Sequence, residues 1–257
     1  MIRMPNISSN PIRVFAICLL LALFAVIPYH QAYSGVNKAP NPPLGWVGCD
    51  LGYFTAPNLG SYRDYINGYY ANLGSSEKMA NFGGRAAINL QFKSFISSHF
   101  AYGCFLTMGG FATDQVFRYY DNFSKGYQAR EEYRLRTADI GFDFTFTPVN
   151  SRSTHFIPYI CAGGMLSSGT LEVFYSNYAD RNLELMDAIS YRENNFNFGY
   201  RLAGGIVLPV SGRLGLNAVT IFSDSKLDFA IDFDSNAEIN MQNRQWFSGV
   251  GLIYFYR

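Results

Sequence analysis

Of the 257 residues, 49% are hydrophobic, 17% are aromatic and only 15% are charged, with 20 Lys and Arg against 19 Asp and Glu. A disordered chain needs low hydrophobicity with high charge, and a nucleic-acid binder needs a basic footprint that a net charge of +1 does not supply. Helical membrane bundles are excluded too, because each bilayer-spanning helix needs about 20 consecutive apolar residues and a single run in this chain approaches that length.

That run, residues 14–27, comes first in chain order. It is too short to span a bilayer and suits the apolar core of a secretory signal. Arg3 and Arg13 precede it, no acidic residue occurs before Asp50, and Ala32-Tyr33-Ser34 fits the small-x-small cleavage pattern. Residues 1–34 are therefore expected to be a signal peptide and the protein to be exported. Residues 35–43, with Pro40, Pro42 and Pro43, cannot enter a sheet interior and are expected to form a tail. Residues 44–257 are expected to form one domain.

Beyond the tail the period is two. In residues 80–92, Phe82, Ala86, Ile88, Leu90 and Phe92 alternate with Gly83, Arg85, Ala87, Asn89 and Gln91. Residues 138–147 set Ile140, Phe142, Phe144 and Phe146 against Asp139, Gly141, Asp143 and Thr145. Residues 196–208 set Phe196, Phe198, Tyr200, Leu202 and Ile206 against Asn197, Gly199, Arg201, Ala203 and Gly205. A helix places neither set on one face, so these are two-sided strands. Residues 45–55, 99–109, 156–166, 213–222 and 245–256 follow the same pattern, bringing the predicted strands to eight. Short links near residues 93–98, 148–153 and 209–212 alternate with long connections at 56–77, 110–132, 167–195 and 223–244. Compact soluble domains seldom carry four such loops. Tight turns at one end and long loops at the other are the asymmetry of a membrane barrel.

Orientation follows from size. The polar faces are also the small faces (Gly83, Ala87, Gly141, Gly199, Ala203, Gly205, Gly215), as the cramped inside of a narrow barrel requires. The apolar faces carry Phe92, Phe146, Phe196 and Tyr256 near strand ends, where interfacial aromatics gather. Phe82, Ile88 and Leu90 are thus expected to face lipid. The fold expected is all-β, an eight-stranded antiparallel up-and-down transmembrane barrel with short periplasmic turns and four long extracellular loops.

The last strand, residues 245–257 (QWFSGVGLIYFYR), places Trp246, Val250, Leu252, Tyr254 and Tyr256 on one face and Gly249 and Gly251 on the other. With the signal segment and the alternating connections, it resembles the eight-stranded outer-membrane proteins of Gram-negative bacteria, the group of the OmpA transmembrane domain, OmpX and the opacity-type surface proteins. The resemblance covers about residues 45–257. It implies that Trp246, Val250, Leu252, Tyr254 and Tyr256 act as a C-terminal assembly signal, although that family usually ends in Phe and here Arg257 follows Tyr256. It also implies the barrel-assembly machinery, periplasmic chaperones, outer-membrane lipid and lipopolysaccharide as partners. The peptidoglycan-binding domain that often follows such barrels is not expected here.

Chemical motifs are sparse. The sequence has no His-Glu-x-x-His, Gly-rich phosphate loop or Gly-x-Ser-x-Gly elbow, and no cofactor, metal or catalytic residue is predicted. His99 and His155 sit beside short turns, where a structural role is expected. Cys49, Cys104 and Cys161 lie in apolar stretches with wide spacing and read as small hydrophobes on strand faces rather than a bridge or metal site. Asn122-Phe123-Ser124 fits a glycosylation acceptor by chance.

The predicted interior gathers Arg85, Arg201 and Arg213 with Asp50, Asp139 and Asp143, beside Asn89, Gln91, Asn197 and Asn217. Uncompensated charge in so narrow a space is costly, so these residues are expected to form a network that plugs the barrel. A small gated channel lined by the same charges is the alternative. The loops remain for recognition. Tyr62, Tyr65, Tyr69 and Tyr70 lie among Gly and Asn, the composition of adaptable contact surfaces, and residues 170–175 could prolong a strand beyond the membrane. The expected function is structural and surface-interacting, adhesin-like or host-contacting through the loops. An outer-membrane lipid-modifying enzyme and a soluble barrel holding an apolar ligand are the rivals.

Overall fold

The computed structural model describes residues 45–57, 59–120, 125–149, 156–179, 184–210, 213–231 and 237–256. The expected signal peptide 1–34, the tail 35–43, His155 and the Asn122–Ser124 tripeptide lie outside them. Eight strands are described: β1 (Gly45–Phe54), β2 (Arg85–Phe95), β3 (Phe100–Tyr120), β4 (Gly126–Phe146), β5 (Ile157–Ala179), β6 (Glu184–Pro209), β7 (Leu214–Ile231) and β8 (Ala237–Tyr256). Each pairs antiparallel with the next, and β8 returns to β1 to close the barrel. Where the ring is closed, each strand has a ladder partner on both sides, which an open sheet cannot provide.

Because side chains alternate along a strand, each strand has an inward and an outward set. On β4, Thr137, Asp139, Gly141, Asp143 and Thr145 are buried inside, while Phe142, Phe144 and Phe146 are exposed outside. Farther along the same strand the polarity inverts. Ala129, Tyr133 and Leu135 are buried inside, and Arg130, Arg134 and Arg136 are exposed outside. β8 does the same, with Trp246, Val250, Leu252 and Tyr254 exposed on the outside below Arg244 and Gln242, and Met241 buried inside. Met108, Ala138, Ser168 and Phe196 share one register line across β3 to β6 and mark this boundary. The exterior is thus an apolar belt toward the end holding Gly45 and Tyr256, the inner end, and a polar wall toward the outer end.

Three expected loops are built largely as strand. β3 runs on to Tyr120 and β4 starts at Gly126, β5 runs to Ala179 and β6 starts at Glu184, and β7 and β8 extend to Ile231 and from Ala237. The long connections are therefore paired hairpins rising beyond the belt. Pairing around the ring is not equally deep. β3 and β4 are in register from Phe100 to Tyr120, and β5 and β6 pair from Ile157 to Ala179 with one register shift between Asn177 and Tyr178, whereas the ladder between β6 and β7 stops at Gly199 and Ser225. Residues 184–198 of β6 extend past that point along β5 alone. In place of the ladder to β7, the Asn195 side chain donates to the Asp228 carbonyl at 2.6 Å.

The fourth connection holds a helix, α1 (Ser61–Asn72). Tyr62, Ile66 and Tyr70 recur every four residues on one face and are buried, while Tyr65 and Tyr69 on the next stripe are exposed. Gly74 ends it in the left-handed region, φ 85°, with its N–H on Ala71 O at 3.0 Å. After the helix, Asn67 grips the returning chain, accepting from Met79 N at 2.7 Å and donating to Met79 O at 3.3 Å. This return explains a correction. β2 begins at Arg85 rather than near residue 80, and Phe82 is buried beside Phe111, ring centroids 6.4 Å apart, instead of facing outward. Ile88 is exposed outside and Leu90 is half-buried.

Candidate functional site

The inward side chains stack in layers. At the inner end Trp46 is enclosed by Phe95 (5.1 Å between centroids), Tyr159 (5.6 Å) and Phe255 (6.3 Å). Inward glycines make room for such rings. A Cβ on Gly205 would collide with the Tyr159 ring, and one on Gly52 or Gly249 with the Phe247 ring. Small positions opposite large ones are how a narrow barrel fills its taper.

The polar layer comes next. Asp50 is buried, has no cation bonded to it among the described residues, and is held by three amides. Asn89 donates to it at 2.7 Å, Gln91 at 3.0 Å and Asn217 at 2.7 Å. Thr107 donates to Asn89 at 3.1 Å and the Tyr159 hydroxyl to Asn217 at 3.1 Å, which fixes the amide orientations. Lys93 pairs with Asp143, both side chains 0% exposed. Ser167 donates to Asp139, and the buried Arg201 guanidinium lies 3.9 Å from the centroid of the Phe105 ring. Cys161 approaches Thr145 at 3.2 Å. Above this layer Phe54 packs on Phe247 (5.4 Å) and Phe111 (6.1 Å).

The structure therefore brings Asp50, Asn89 and Asn217 into one hydrogen-bonded cluster and buries Asp139, Asp143 and Arg201 in the same layer. Asn197 is half-buried farther out. Arg85 and Arg213 do not join them. Both are exposed, Arg85 at the outer start of β2 and Arg213 at the inner turn before β7. Each keeps the inward register of its strand but lies beyond the narrow part, where water reaches it.

The buried cation that the pattern should have revealed is Lys93. It continues the inward series Asn89, Gln91 at the same spacing of two, yet its position beside the expected turn disguised it. Of the C-terminal set, Trp246, Val250, Leu252 and Tyr254 are exposed on the outside, and Tyr256 is half-buried with its hydroxyl on Lys93 O at 2.8 Å. His99 sits at the β2–β3 turn, its Nδ1 2.8 Å from Ser98 Oγ. Cys49 is exposed, Cys104 half-buried and Cys161 buried, all unbridged.

At the outer end α1 stoppers the barrel. The Tyr70 ring stacks on Phe117 at 4.1 Å, and Tyr62 packs edge-on against Tyr133 at 5.7 Å. Glu131, buried and projecting inward beyond the apolar belt, accepts from the Tyr70 hydroxyl at 2.7 Å and from the Tyr133 hydroxyl. The Tyr62 and Tyr133 hydroxyls are 3.0 Å apart. Burial pushes the Glu131 carboxyl above its ordinary value, a rise that the two phenol donors oppose. Burial first, and then the Glu131 carboxylate, raises the Tyr70 hydroxyl. Half of the tyrosines expected to form a contact surface in this connection thus work as a stopper, leaving Tyr65 and Tyr69 outside.

No family model and no curated protein matches the chain. Among solved structures it is similar to the neisserial surface protein A, at 12% identity and a TM-score of 0.40 over 82% of this chain and 96% of that one. It is also similar to the outer membrane protein OprG from Pseudomonas aeruginosa, at 7% identity and a TM-score of 0.46 over 84% and 97%. A third similarity is to the outer membrane protease OmpT from Escherichia coli, at 10% identity and a TM-score of 0.45 over 87% and 99%. Similarity at this level concerns the β-barrel fold and carries no activity with it.

Proposed function

We propose that this protein is an outer-membrane β-barrel with a sealed interior, serving envelope structure and surface contact. The observation that carries the reading is the inversion of polarity along β4 and β8. Phe142, Phe144 and Phe146 outside and Asp139 and Asp143 inside suit a wall in lipid, whereas Arg130, Arg134 and Arg136 outside and Tyr133 and Leu135 inside suit a wall in water. Both statements hold within one strand, so the solvent changes along it. The buried Lys93–Asp143 pair and the amide cage around Asp50, with aromatic layers on either side, favour a plug over a channel.

Surface contact is assigned to the projecting sheet of β3 to β6. Residues 184–198 of β6 lack the ladder to β7, and Leu185, Met186 and Ile189 on the projecting part of this strand are exposed. A backbone edge of this kind is a template for another strand. Shortening the β5–β6 hairpin to the belt should leave a heat-modifiable barrel in the outer-membrane fraction and abolish attachment of expressing cells to a target surface. Unchanged attachment would remove the surface-contact role. Stable large conductance from the purified protein in a planar bilayer would overturn the plug in favour of the channel.

A further inference from the structure

We propose that Arg134, Arg136 and Arg192 form a binding site for the phosphate headgroup of an anionic lipid in the outer leaflet. The inference rests on the membrane reading above and adds a ligand to it. Two register lines lie directly above the boundary line Met108, Ala138, Ser168, Phe196. The first holds Gly110, Arg136, Thr170 and Asn194, and the second holds Ala112, Arg134, Glu172 and Arg192. Three arginines thus meet one carboxylate in the first two rows above the belt. The next line, Asp114, Glu132, Phe174 and Ser190, carries the balancing acids farther from the membrane. Cations nearest the acyl chains and acids beyond them is the order that phosphates at the leaflet surface would select.

The geometry leaves the Arg136 and Arg192 guanidiniums short of acceptors. Glu172, its side chain 12% exposed, is shared by Arg136 at 3.5 Å on one oxygen and Arg192 at 3.6 Å on the other. These distances are longer than a charge-assisted hydrogen bond of about 2.7–2.9 Å. Arg136 and Arg192 keep side-chain exposures of 64% and 62% and point outward on neighbouring sides of that carboxylate. Arg134 is fixed from above by Glu132 and rests 5.0 Å over the Phe174 ring, which holds its planar head at the same wall. One carboxylate between Arg136 and Arg192 leaves one positive charge uncompensated beside the paired Arg134, and a tetrahedral phosphate can take hydrogen bonds from several guanidiniums at once. The Thr170 hydroxyl, bonded to Asn194 at 2.7 Å in the row nearest the belt, adds a polar floor. Phe196 lies one row below, exposed at the level where an acyl chain would begin.

The test uses the full chain folded into phosphatidylcholine vesicles doped with a minor fraction of lipid A, with bound lipid A read by native mass spectrometry after release. Wild type should retain lipid A, and R134Q/R192Q should retain about tenfold less, the loss expected for two charge-assisted bonds in a wet site. R63Q, which removes an arginine on α1 far from the belt, should match wild type. Glu172→Gln should retain more than wild type, because it frees Arg136 and Arg192 from their shared acid, and this variant keeps the inference testable if R134Q/R192Q does not fold. Equal retention by all variants would overturn the site. Displacement of lipid A by inorganic phosphate or by a soluble sulfated glycan would overturn the lipid assignment, since the acyl chains would then contribute nothing. A wild-type chain that neither enters vesicles nor shows heat-modifiable migration would instead remove the membrane reading beneath the site.

Discussion

Asp143 and Glu131 point inward from the same strand, twelve positions apart, and are neutralised in opposite ways. Asp143 faces a full cation, Lys93, in a layer closed on both sides by aromatic rings. Among the described residues Glu131 accepts from two phenols, Tyr70 and Tyr133, and Tyr70 sits on α1 rather than on a barrel strand. The difference separates a layer held by the barrel strands alone from one completed by a helix between strands. A buried ion pair locks because either partner alone is strongly unfavourable. A carboxylate among phenols can relieve its burial simply by binding a proton.

The largest effect should come from breaking the locked pair. Lys93→Met leaves Asp143 charged and unpaired at full burial, and should lower unfolding stability by about 3–5 kcal/mol in urea titrations of the protein in vesicles. K93M/D143L should recover most of that loss, because two apolar groups satisfy the layer without charge. If the double variant were as unstable as the single one, the layer would be held by packing rather than by charge matching.

Asp50→Ala strands three amide donors at once, from Asn89, Gln91 and Asn217, and should cost about 2–3 kcal/mol in the same titration. Asp50→Asn, which keeps an acceptor, should cost less. At the stopper, Tyr70→Phe removes one hydrogen bond to Glu131 and keeps the ring on Phe117. It should weaken docking of α1 by about 1 kcal/mol, seen as faster amide exchange in residues 61–72, with the midpoint of barrel unfolding unchanged.

The smallest effect is the pH dependence of that docking. Burial raises the Glu131 carboxyl, so the docked state binds its proton more tightly than the undocked one. The stabilisation is complete below the ordinary carboxylate range and is lost as pH rises through the raised value. Exchange of residues 61–72, corrected for intrinsic rate, should therefore be slower at acidic than at neutral pH. Glu131→Gln should flatten that difference, and an unchanged slope in this variant would place the titrating group elsewhere.

How far these regions could be read without coordinates differs for the same reasons. The belt of β4 was legible because Ile140, Phe142, Phe144 and Phe146 keep one phase, and Asp139 and Asp143 fall between them. Above residue 137 the apolar residues move to the other phase, Ala129, Tyr133 and Leu135, so a search for one continuous pattern sees the strand end and a loop begin. The helix was legible in principle from Tyr62, Ile66 and Tyr70 at intervals of four. It was obscured because Tyr65 and Tyr69 sit beside them and the surrounding Gly and Asn suggest a loop. Arg85 and Arg213 show the converse. Their phase is inward, but phase does not say how far along the barrel the narrow part reaches.

The period of two, together with the short and long connections and the small residues on the polar faces, was enough to decide that this chain folds as a barrel and which face of each belt segment is inside, because these are local properties of neighbouring residues. Which residues meet across the lumen, how far the hairpins climb beyond the belt and where α1 comes to rest were decided only by tertiary structure. Those depend on register between strands distant in sequence: Lys93 reaches Asp143, and Tyr70 reaches Glu131, only once β2 to β4 are paired and the ring has closed.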